Sequence, residues 1–334
     1  MDNLFIDIGS TNIKWQKGNE KVRSVPFPPP KINDGLLFEV PADKIIDILF
    51  KIIDGSGSKA LFISTQMHGY VLLGEREERL TDYISWQDTR SSGTSLPFDL
   101  PPESGSSIKA NLPRAGVYSM LSQNPGLSRR IKQFCTLGSY IALKLTGKNI
   151  THITDAAASG YYNAQTAGIL NEYDYSLPIA KKDISIAGYY GDIAVYTPVG
   201  DQQSAVLGCG AAYDEYIMNL GTAGQLCCIN RDFVAGKFES RPYFGSETLC
   251  TVTNLMGGKG ITQNPNDWTQ KFCRDYSEAI SLLPQRKAVL VTGGAVKFYK
   301  KQLIGVLDKM GIDYRFDEGS EALKGLMLLA EKAL

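Results

Sequence analysis

The segment from residue 7 to residue 14 (D-I-G-S-T-N-I-K) combines a carboxylate, a glycine turn, two hydroxyls and a lysine. A turn at Gly9 would expose backbone N–H groups, Ser10 and Thr11 would add donors, and Lys14 follows Asp7 by seven residues. Such a set can cradle phosphate oxygens beside a carboxylate that holds hydrated magnesium. The alternative is an ordinary β-hairpin, for which D-x-G-[ST] is a common pattern. The chain has no G-x-x-x-x-G-K-[ST] motif, which excludes a P-loop nucleotide site as the alternative.

A second carboxylate, Asp201, lies in the segment P-V-G-D-Q-Q-S-A at a predicted junction between a strand and a helix. A carboxylate in this place can accept the proton of an attacking hydroxyl, which phosphoryl transfer needs well positioned more than strongly basic. The alternative is a helix N-cap. We expect capping in either case, because the two roles are compatible.

Two further segments, N-L-G-T-A-G from residue 219 and V-T-G-G-A-V-K from residue 291, each run from a predicted strand into small residues. Small residues let the backbone approach a ligand closely. Either segment alone is more often just a turn, and Gly293 with Gly294 equally fits the entry to a helix.

Two clusters, Q-M-H-G and W-Q-D-T-R, carry residue types suited to a polyol, which needs paired hydrogen-bonding groups and an apolar surface against its C–H face. Their members in these roles are Gln66, Met67, His68, Gly69, Trp86, Asp88 and Arg90. The alternatives are a hydrogen-bonded loop histidine at position 68 and a core tryptophan at position 86.

The elements that must position these residues follow from hydrophobic periodicity and from turn residues. Strands are predicted over 4–8, 13–16, 22–27, 60–64, 71–73, 83–86, 216–220, 225–229 and 288–291. Helices are predicted over 45–53, 128–145, 297–309 and 320–334, and residues 92–125 are predicted as a long surface excursion. The segments 5–11 and 217–223 share one pattern, a strand followed by glycine with a hydroxyl residue and a second strand. This repetition suggests two related domains that face a shared cleft.

Composition narrows the class of protein. A length of 334 residues suits about two domains, and 43% hydrophobic content can bury a substantial core. The 35 basic and 35 acidic side chains cancel, so the protein has no basic excess that would attract nucleic acid. The sequence shows no signal peptide and no apolar run of about 20 residues that could span a membrane. Six cysteines without C-x-x-C, and only two histidines, argue against structural zinc and for reduced thiols in the cytoplasm.

Taken together, the order D-x-G-[ST], Q-M-H-G, W-x-D-x-R, T-D, G-D-Q, L-G-T-[AS]-G and T-G-G-A resembles the FGGY carbohydrate kinases of the actin and hexokinase-like ATPase superfamily. The resemblance covers nearly the whole chain, and residues 136–147 are similar to the family's helix before the T-D segment. It implies an α/β fold with two ribonuclease H-like domains around a central cleft. We expect an N-terminal domain over residues 1–211 and a C-terminal domain over residues 212–334.

The resemblance implies a role for each matching residue, with ATP and Mg2+ as cofactors. Asp7 would hold magnesium through water, and Asp201 would be the general base and a possible second magnesium ligand. The residues facing ATP would be Gly9, Ser10, Thr11, Lys14, Gly221, Thr222, Gly293, Gly294, Ala295 and Lys297. The residues facing the sugar would be Gln66, Met67, His68, Gly69, Trp86, Asp88, Arg90 and Gln202.

The Q-M-H-G segment resembles that of xylulose kinases and related kinases of sedoheptulose or ribulose, so we expect a ketose as the small-molecule partner. Glycerol kinases typically carry an R-E-T-type segment there, which this chain lacks. The intervals from Asp155 to Asp201 and from Thr222 to Gly293 are shorter than in typical members. The alternatives are a catalytically silent sensor of sugar or nucleotide and a kinase for a polyol such as glycerol. The sequence carries no signal for oligomeric state, and a homodimer stays open.

Overall fold

A computed structural model describes residues 2–221, 223–262, 264–317 and 321–334, which form two lobes, each built on a mixed β-sheet. In chain order the strands of these residues are β1 (Asn3–Ile8), β2 (Asn12–Lys17), β3 (Arg23–Pro26), β4 (Ile32–Asn33), β5 (Phe38–Val40), β6 (Ala60–Thr65), β7 (Tyr70–Leu73), β8 (Tyr83–Ile84), β9 (Gln133–Thr136), β10 (Ile150–His152), β11 (Ile179–Lys181), β12 (Ile186–Tyr190), β13 (Ile193–Tyr196), β14 (Val199–Gly200), β15 (Glu215–Leu220), β16 (Gly224–Asn230), β17 (Glu239–Pro242), β18 (Thr248–Leu255), β19 (Ala288–Thr292) and β20 (Asp313–Phe316). The α-helices are α1 (Ala42–Asp54), α2 (Pro113–Gln123), α3 (Gly126–Arg130), α4 (Leu137–Thr146), α5 (Ile153–Ala156), α6 (Asp201–Gly208), α7 (Thr269–Leu282), α8 (Val296–Met310) and α9 (Glu321–Ala333). None of these helices is long and apolar enough to cross a membrane.

The first sheet has the strand order β12-β13-β6-β1-β2-β3, and β14 also pairs with β6. Strands β1, β2 and β3 form an antiparallel meander, whereas β6 runs parallel to β1 and β13 runs parallel to β6. Both β1 and β6 are buried along their whole length, as expected for strands that have both faces covered. The apolar stripe predicted over residues 45–53 lies in α1, which packs on one face of this sheet.

The second sheet has the order β17-β18-β16-β15-β19-β20 and repeats the plan of the first. Strands β15, β16 and β18 are antiparallel neighbours, and β19 and β20 run parallel to β15. In both lobes the first hairpin closes at a glycine turn, after Ile8 in β1 and after Leu220 in β15. The prediction of two related α/β domains, made from the repeated hairpin pattern, is therefore confirmed at the level of topology.

Helix α9 crosses back from the second lobe to the first. Its apolar residues Leu323, Leu326 and Leu329 pack with Phe5 and Phe62 of the first sheet. The domain boundary at residue 211 stays a prediction. That prediction assigned α9 to the C-terminal domain, whereas α9 packs on the sheet of the first lobe.

Helix α9 also supports α6, and the two helices touch through glycines. A Cβ atom on Gly325 would overlap the backbone oxygen of Ser204, and one on Gly208 would overlap that of Glu321. The Ser204 hydroxyl donates to the Ala322 carbonyl at 2.8 Å. Because α6 begins at Asp201, this close approach fixes the helix that carries the second predicted carboxylate.

The predicted single helix over residues 128–145 is wrong. The structure has α3, then β9, then α4. Strand β9 completes a five-stranded sheet by pairing with β7, which brings Tyr70 opposite Thr136. The Thr136 hydroxyl then accepts the backbone N–H of Ser139 and caps the start of α4. Long-range pairing and a cap therefore outweigh the local apolar pattern.

The predicted surface excursion over residues 92–125 is wrong for its second half. Helix α2 begins at Pro113. The first N–H groups of a helix have no intrahelical acceptor, so the missing N–H of proline costs no hydrogen bond at this position. Residues Ala115 and Val117 of α2 are buried. The earlier half, by contrast, is mostly irregular and lies partly at the surface.

The glycine contact between α6 and α9 gives a stability prediction. Gly325→Ala should lower the free energy of unfolding by about 1–3 kcal/mol, because the added methyl group must displace backbone in a packed interface. Gly305→Ala is the matched control, since Gly305 is an exposed residue of α8 with open space around it. The control should be stabilised by roughly 0.5–1 kcal/mol. Denaturant unfolding measures both values, and equal changes in the two variants would contradict the packing argument.

Candidate active site

Asp7 lies near the end of β1 and is buried. The Ser64 hydroxyl of neighbouring β6 donates to Asp7 Oδ1 at 2.9 Å, and Lys14 is the register partner of Asp7 in β2. Burial raises the pKa of the Asp7 carboxyl, although the Ser64 hydrogen bond and the charge of Lys14 oppose this effect. The carboxylate is thus held in a fixed position at the end of the central strand.

The turn after β1 presents the predicted phosphate-facing residues. The Gly9 N–H donates to the Asn12 carbonyl at 3.1 Å, which closes the hairpin. Gln66 Nε2 donates to the Gly9 carbonyl at 3.4 Å and ties the turn to the end of β6. Ser10 and Thr11 are exposed at the tip, so their hydroxyls and the backbone between them are accessible to a ligand.

Asp201 is the first residue of α6, and its predicted role as N-cap is wrong. Gly200 occupies the cap position, and its N–H donates to the Thr154 hydroxyl at 3.0 Å. The Asp201 carboxylate accepts the backbone N–H of Gln202 at 2.8 Å instead. Burial and the nearby charge of Asp7 raise the pKa of Asp201 to about 7. A carboxyl group with such a pKa can exchange a proton near neutral pH.

Glu321, at the start of α9, links the two lobes beside these carboxylates. The hydroxyl of Thr292, the last residue of β19, donates to Glu321 Oε1 at 2.6 Å. The negative charge of Glu321 also contributes to the raised pKa of Asp7. The ends of β1 and β19 therefore meet at the first turn of α9. Sequence analysis did not identify this residue, because a single glutamate far along the chain has no motif around it.

In the second lobe the predicted glycines lie beside each other at the ends of β15 and β19. Gly293 has φ of +100°, and a Cβ atom there would lie 2.7 Å from the Leu220 backbone, so only glycine fits without strain. The Ala295 N–H donates to the Leu220 carbonyl at 3.0 Å, which joins the start of α8 to the end of β15. Gly294 and Lys297 are exposed. Thr222 lies outside the described residues.

A third glycine segment in this lobe was missed by the sequence analysis. The Gly258 N–H donates to the Gly221 carbonyl at 2.7 Å, and a Cβ on Gly258 would lie 2.9 Å from Ala295 Cβ. Gly257 packs against the backbone of Ala223 so closely that a side chain would overlap it. The run G-G-K-G from residue 257 was a usable signal. Backbone from three segments therefore converges on one surface without side chains in the way.

On the other side of Asp201, the Q-M-H-G segment follows β6 and lines a pocket. Gln66 and Met67 are buried, and His68 adopts a left-handed backbone conformation with φ of +62°. Burial and the charge of Arg241 lower the pKa of His68 to about 4, so its ring is neutral at neutral pH. Gly69 has a packing role, because a Cβ there would overlap the ring of Tyr83.

The pocket wall opposite His68 comes from β17 in the second lobe and was not predicted. Arg241 Nη2 lies 3.4 Å from His68 Nε2, and its Nη1 donates to the Gln202 side-chain oxygen. Arg241 Nε donates to Glu239 at 2.8 Å, and Lys109 forms a further ion pair with Glu239. The segment E-S-R-P carries no recognisable motif, so sequence reasoning had no signal for it.

The W-Q-D-T-R segment lies farther inside the first lobe. Arg90 Nε and Nη2 donate to the Asp88 carboxylate at 2.8 and 2.7 Å, and Nη2 also pairs with Glu39 at 2.7 Å. The Phe38 N–H donates to Asp88 at 2.7 Å. Trp86 is half-buried. Asp88 and Arg90 thus hold β5 to the loop after β8, and these contacts occupy the groups that were predicted to bind sugar.

The fit of a magnesium ion depends on the two carboxylates. Within the described residues no group of three or more His, Cys, Asp or Glu side chains could enclose a metal ion. Magnesium usually keeps several waters and takes only one or two carboxylates together with substrate phosphates. The carboxylates of Asp7 and Asp201 both add negative charge to the site. They therefore fit the coordination of such a hydrated ion.

Two lobes of this topology, with paired carboxylates between a glycine-lined surface and a polar pocket, define a protein of the actin and hexokinase-like ATPase fold. Residues 37–181 match the sequence model of the FGGY family of carbohydrate kinases, N-terminal domain. This match covers less than half of the chain, and it agrees with the family resemblance expected from the motifs.

Individual relatives agree with this family. The chain is 24% identical over 185 residues to a gluconokinase of Bacillus licheniformis, a match that covers 49% of this chain and 35% of the relative. It is 23% identical over 237 residues to the xylulose kinase of Escherichia coli strain K12, covering 64% of this chain and 49% of that protein. The matches thus span half or less of the length of these curated relatives. The ligand-bound xylulose kinase structure from Lactobacillus acidophilus has the same fold, with a TM-score of 0.81 at 16% identity over 99% of this chain and 89% of that one.

Asp155, in the T-D motif, gives a prediction on pH and stability. It is buried, and Thr136 and Thr151 donate to its Oδ2 at 2.5 and 2.8 Å. Burial raises its pKa from 3.8 to about 6, so the folded state keeps a proton that the unfolded state has released. This group therefore lowers stability as pH rises from about 4 to 6, by at most about 3 kcal/mol.

Asp155→Asn removes this titration while keeping an oxygen acceptor. The free energy of unfolding of the variant, relative to the wild type, should increase from pH 4 to pH 6 and stay level above. Urea titrations at several pH values measure this difference. A difference that does not change with pH would show that the buried carboxyl is not the cause.

Proposed function

We propose that this protein transfers the γ-phosphoryl group of ATP to a hydroxyl of a small sugar. The observation that carries the proposal is the position of the buried Asp201, which is close to Asp7 and whose neighbour Gln202 contacts Arg241 of the pocket wall, together with its raised pKa. The FGGY N-terminal domain and the sugar-kinase fold support the same reaction.

In this proposal the glycine-lined surfaces bind ATP. The turn at Gly9 and the segment at Gly221 present backbone N–H groups to the phosphates from opposite lobes, and Lys14 adds a positive charge. Gly293 and Gly258 leave room for the nucleoside part. Magnesium, when bound, offsets the negative charge that phosphoryl transfer gathers on the phosphate oxygens. Asp7 would orient this hydrated ion, and its fixed hydrogen bond to Ser64 suits that task.

The sugar would bind at the pocket between the lobes, which is lined by residues of the Q-M-H-G segment, by Thr154 and by Arg241. The cavity measures only about 10 Å³, so the lobes would have to open to admit the sugar. Asp201 would accept the proton of the attacking hydroxyl as the hydroxyl oxygen bonds to the γ-phosphorus. The bond from this phosphorus to the bridging oxygen breaks in the same step, and ADP leaves with that oxygen. The product of this step is a protonated Asp201 carboxyl, and a pKa of about 7 makes the subsequent proton release to solvent easy. Closure of the lobes would keep water out, so that phosphate is not lost to hydrolysis.

For the substrate class we propose a ketose of the xylulose, sedoheptulose or ribulose type. The support is the Q-M-H-G segment at the pocket and the similarity to proteins named xylulose kinase. A polyol such as glycerol and a sensor without turnover are the alternatives. Among the described residues, the buried Asp201 carboxylate accepts only the Gln202 N–H, and this spare capacity for a proton favours an enzyme over a sensor. The cytoplasmic location and a homodimer stay predictions.

Asp201→Asn tests the assigned base. The reaction rate should fall by about 10²–10⁴-fold, because the amide cannot accept the hydroxyl proton, while nucleotide affinity should change little. ADP release with ATP, Mg2+ and a panel of ketoses, gluconate and glycerol measures the rate, and calorimetry measures the binding of ATP.

The matched control is Asp192→Asn, an exposed aspartate in the turn between β12 and β13, which should behave as the wild type. Unchanged turnover in Asp201→Asn would remove Asp201 from the role of base. ADP release that no member of the panel increases would overturn the kinase proposal itself.

A further inference from the structure

The sugar side of the pocket contains a buried charge network that crosses the gap between the lobes. Arg241 and Glu239 come from β17 of the second lobe, and their side chains are only 8% and 6% exposed. Lys109 comes from the first lobe, pairs with Glu239, and donates to the Thr253 hydroxyl at 2.8 Å. Buried charges are costly unless they are paired, so this network indicates a specific requirement at the site.

A backbone contact reinforces the link between the lobes. The Ser240 N–H donates to the Gly105 carbonyl at 2.9 Å, between the residues of β17 that carry the two charges. Gly105 has φ of +66°, and a Cβ atom there would overlap the Ser240 carbonyl oxygen. The loop from the first lobe is therefore seated on β17 as closely as a glycine allows. The position of Arg241 is set from both lobes.

The guanidinium of Arg241 contacts three different residues around the pocket. Nε and Nη2 donate to Glu239 Oε2, Nη1 donates to the side-chain oxygen of Gln202, and Nη2 also faces His68 Nε2 at 3.4 Å. Gln202 immediately follows Asp201 in α6, and His68 belongs to the Q-M-H-G segment. One side chain thus contacts both polar groups that border the attacking position.

These contacts fix the hydrogen-bonding roles of both neighbours. Because Gln202 Oε1 accepts from Arg241, the amide nitrogen of Gln202 points to Thr251, at 3.5 Å. Because a guanidinium can only donate, His68 Nε2 must accept, which places the proton of the neutral ring on Nδ1. Nδ1 is buried and has no hydrogen-bond partner among the described residues. The Ala158 carbonyl lies near the ring but forms no hydrogen bond of normal geometry with Nδ1, so this N–H can turn to a ligand atom.

We propose that Arg241 is a positioning residue for phosphoryl transfer, which fixes the Nδ1–H tautomer of His68 and the amide of Gln202 beside Asp201. The Glu239 and Lys109 pair holds Arg241 in place from the opposite lobe. His68 Nδ1–H then donates to a hydroxyl or carbonyl oxygen of the sugar. This inference rests on the proposed kinase function.

Five features around the His68 ring affect its pKa. Burial is the largest effect and lowers the pKa, and the charges of Arg241 and Lys109 lower it further. Glu239 and the Ala158 carbonyl raise it. Burial opposes ionisation of Glu239, but Arg241 and Lys109 outweigh this and lower its pKa to about 2. Glu239 therefore stays charged, and burial together with the charge of Arg241 keeps the ring at position 68 neutral.

Kinetics of three variants test the positioning role. Arg241→Gln should lower kcat by about 10²-fold and raise KM for the sugar, with KM for ATP unchanged, because misplacement of a bound group is costly. Arg241→Lys keeps the charge but cannot contact three partners, so its kcat should also fall. Arg286→Gln is the control, since Arg286 binds the Ile229 carbonyl at the far end of β16 and should leave kinetics unchanged.

A titration of the histidine rings by NMR gives a readout that does not depend on activity. The chain has two histidines, which makes assignment simple. In Arg241→Gln the pKa of His68 should rise, and in Arg241→Lys it should stay low. His152 is the internal control, because its low pKa arises from burial, opposed by the Lys182 carbonyl and Asp183, with no contribution from Arg241.

The outcomes separate the two proposals. If the His68 pKa is the same in Arg241→Gln and the wild type, or if the kinetics of Arg241→Gln match those of Arg286→Gln, the role of Arg241 is wrong and the kinase proposal is untouched. If the wild type releases no ADP with any sugar of the panel, the kinase proposal fails and the positioning role fails with it. A shifted His68 pKa together with sugar-specific kinetic loss supports both.

Discussion

The cleft is organised around two buried carboxylates, Asp7 and Asp201, whose charged forms are disfavoured by burial. The charge of Asp7 adds to the effect of burial in raising the pKa of Asp201, because like charges repel each other. While both are ionised, such a pair contributes nothing favourable to folding. A hydrated divalent cation or a proton offsets the repulsion, and the proposed reaction uses both.

The fold keeps these carboxylates in place with backbone and glycine contacts more than with side-chain packing. Ser64 fixes Asp7 from the neighbouring parallel strand, and Thr154 fixes the residue before Asp201 through the Gly200 N–H. The glycine contacts of Gly208 and Gly325 bring α9 against α6 at a distance that no larger residue permits. Rigid support of this kind suits a site where the direction of a single hydroxyl must be controlled.

The sequence was most informative where the structure is local. The hairpin turns at Gly9 and at Gly221 could be predicted, because a strand, a glycine and a second strand lie within about ten residues. The fold followed from their repetition and from the family resemblance. Strand β9 could not be predicted, because its extended form depends on pairing with β7, far away in the chain.

The same reason explains the parts of the site that were missed. Arg241 contacts His68, and Glu321 acts on Asp7, across more than a hundred residues of the chain, and neither residue has a local motif. Asp88 and Arg90 were recognised by pattern, but their use inside the first lobe depends on Glu39 and on the backbone of β5. Patterns identify which residues are available for chemistry, whereas tertiary contacts decide which of them reach the cleft.

The return of α9 to the first sheet has a consequence for how the chain acquires its shape. Phe5 and Phe62 belong to the earliest strands, yet their apolar face is covered by Leu323 and Leu326. During synthesis this surface stays uncovered until α9 has been made, because the residues that cover it follow the second lobe in the chain. A truncated product that lacks α9 would therefore expose an apolar face of the first sheet.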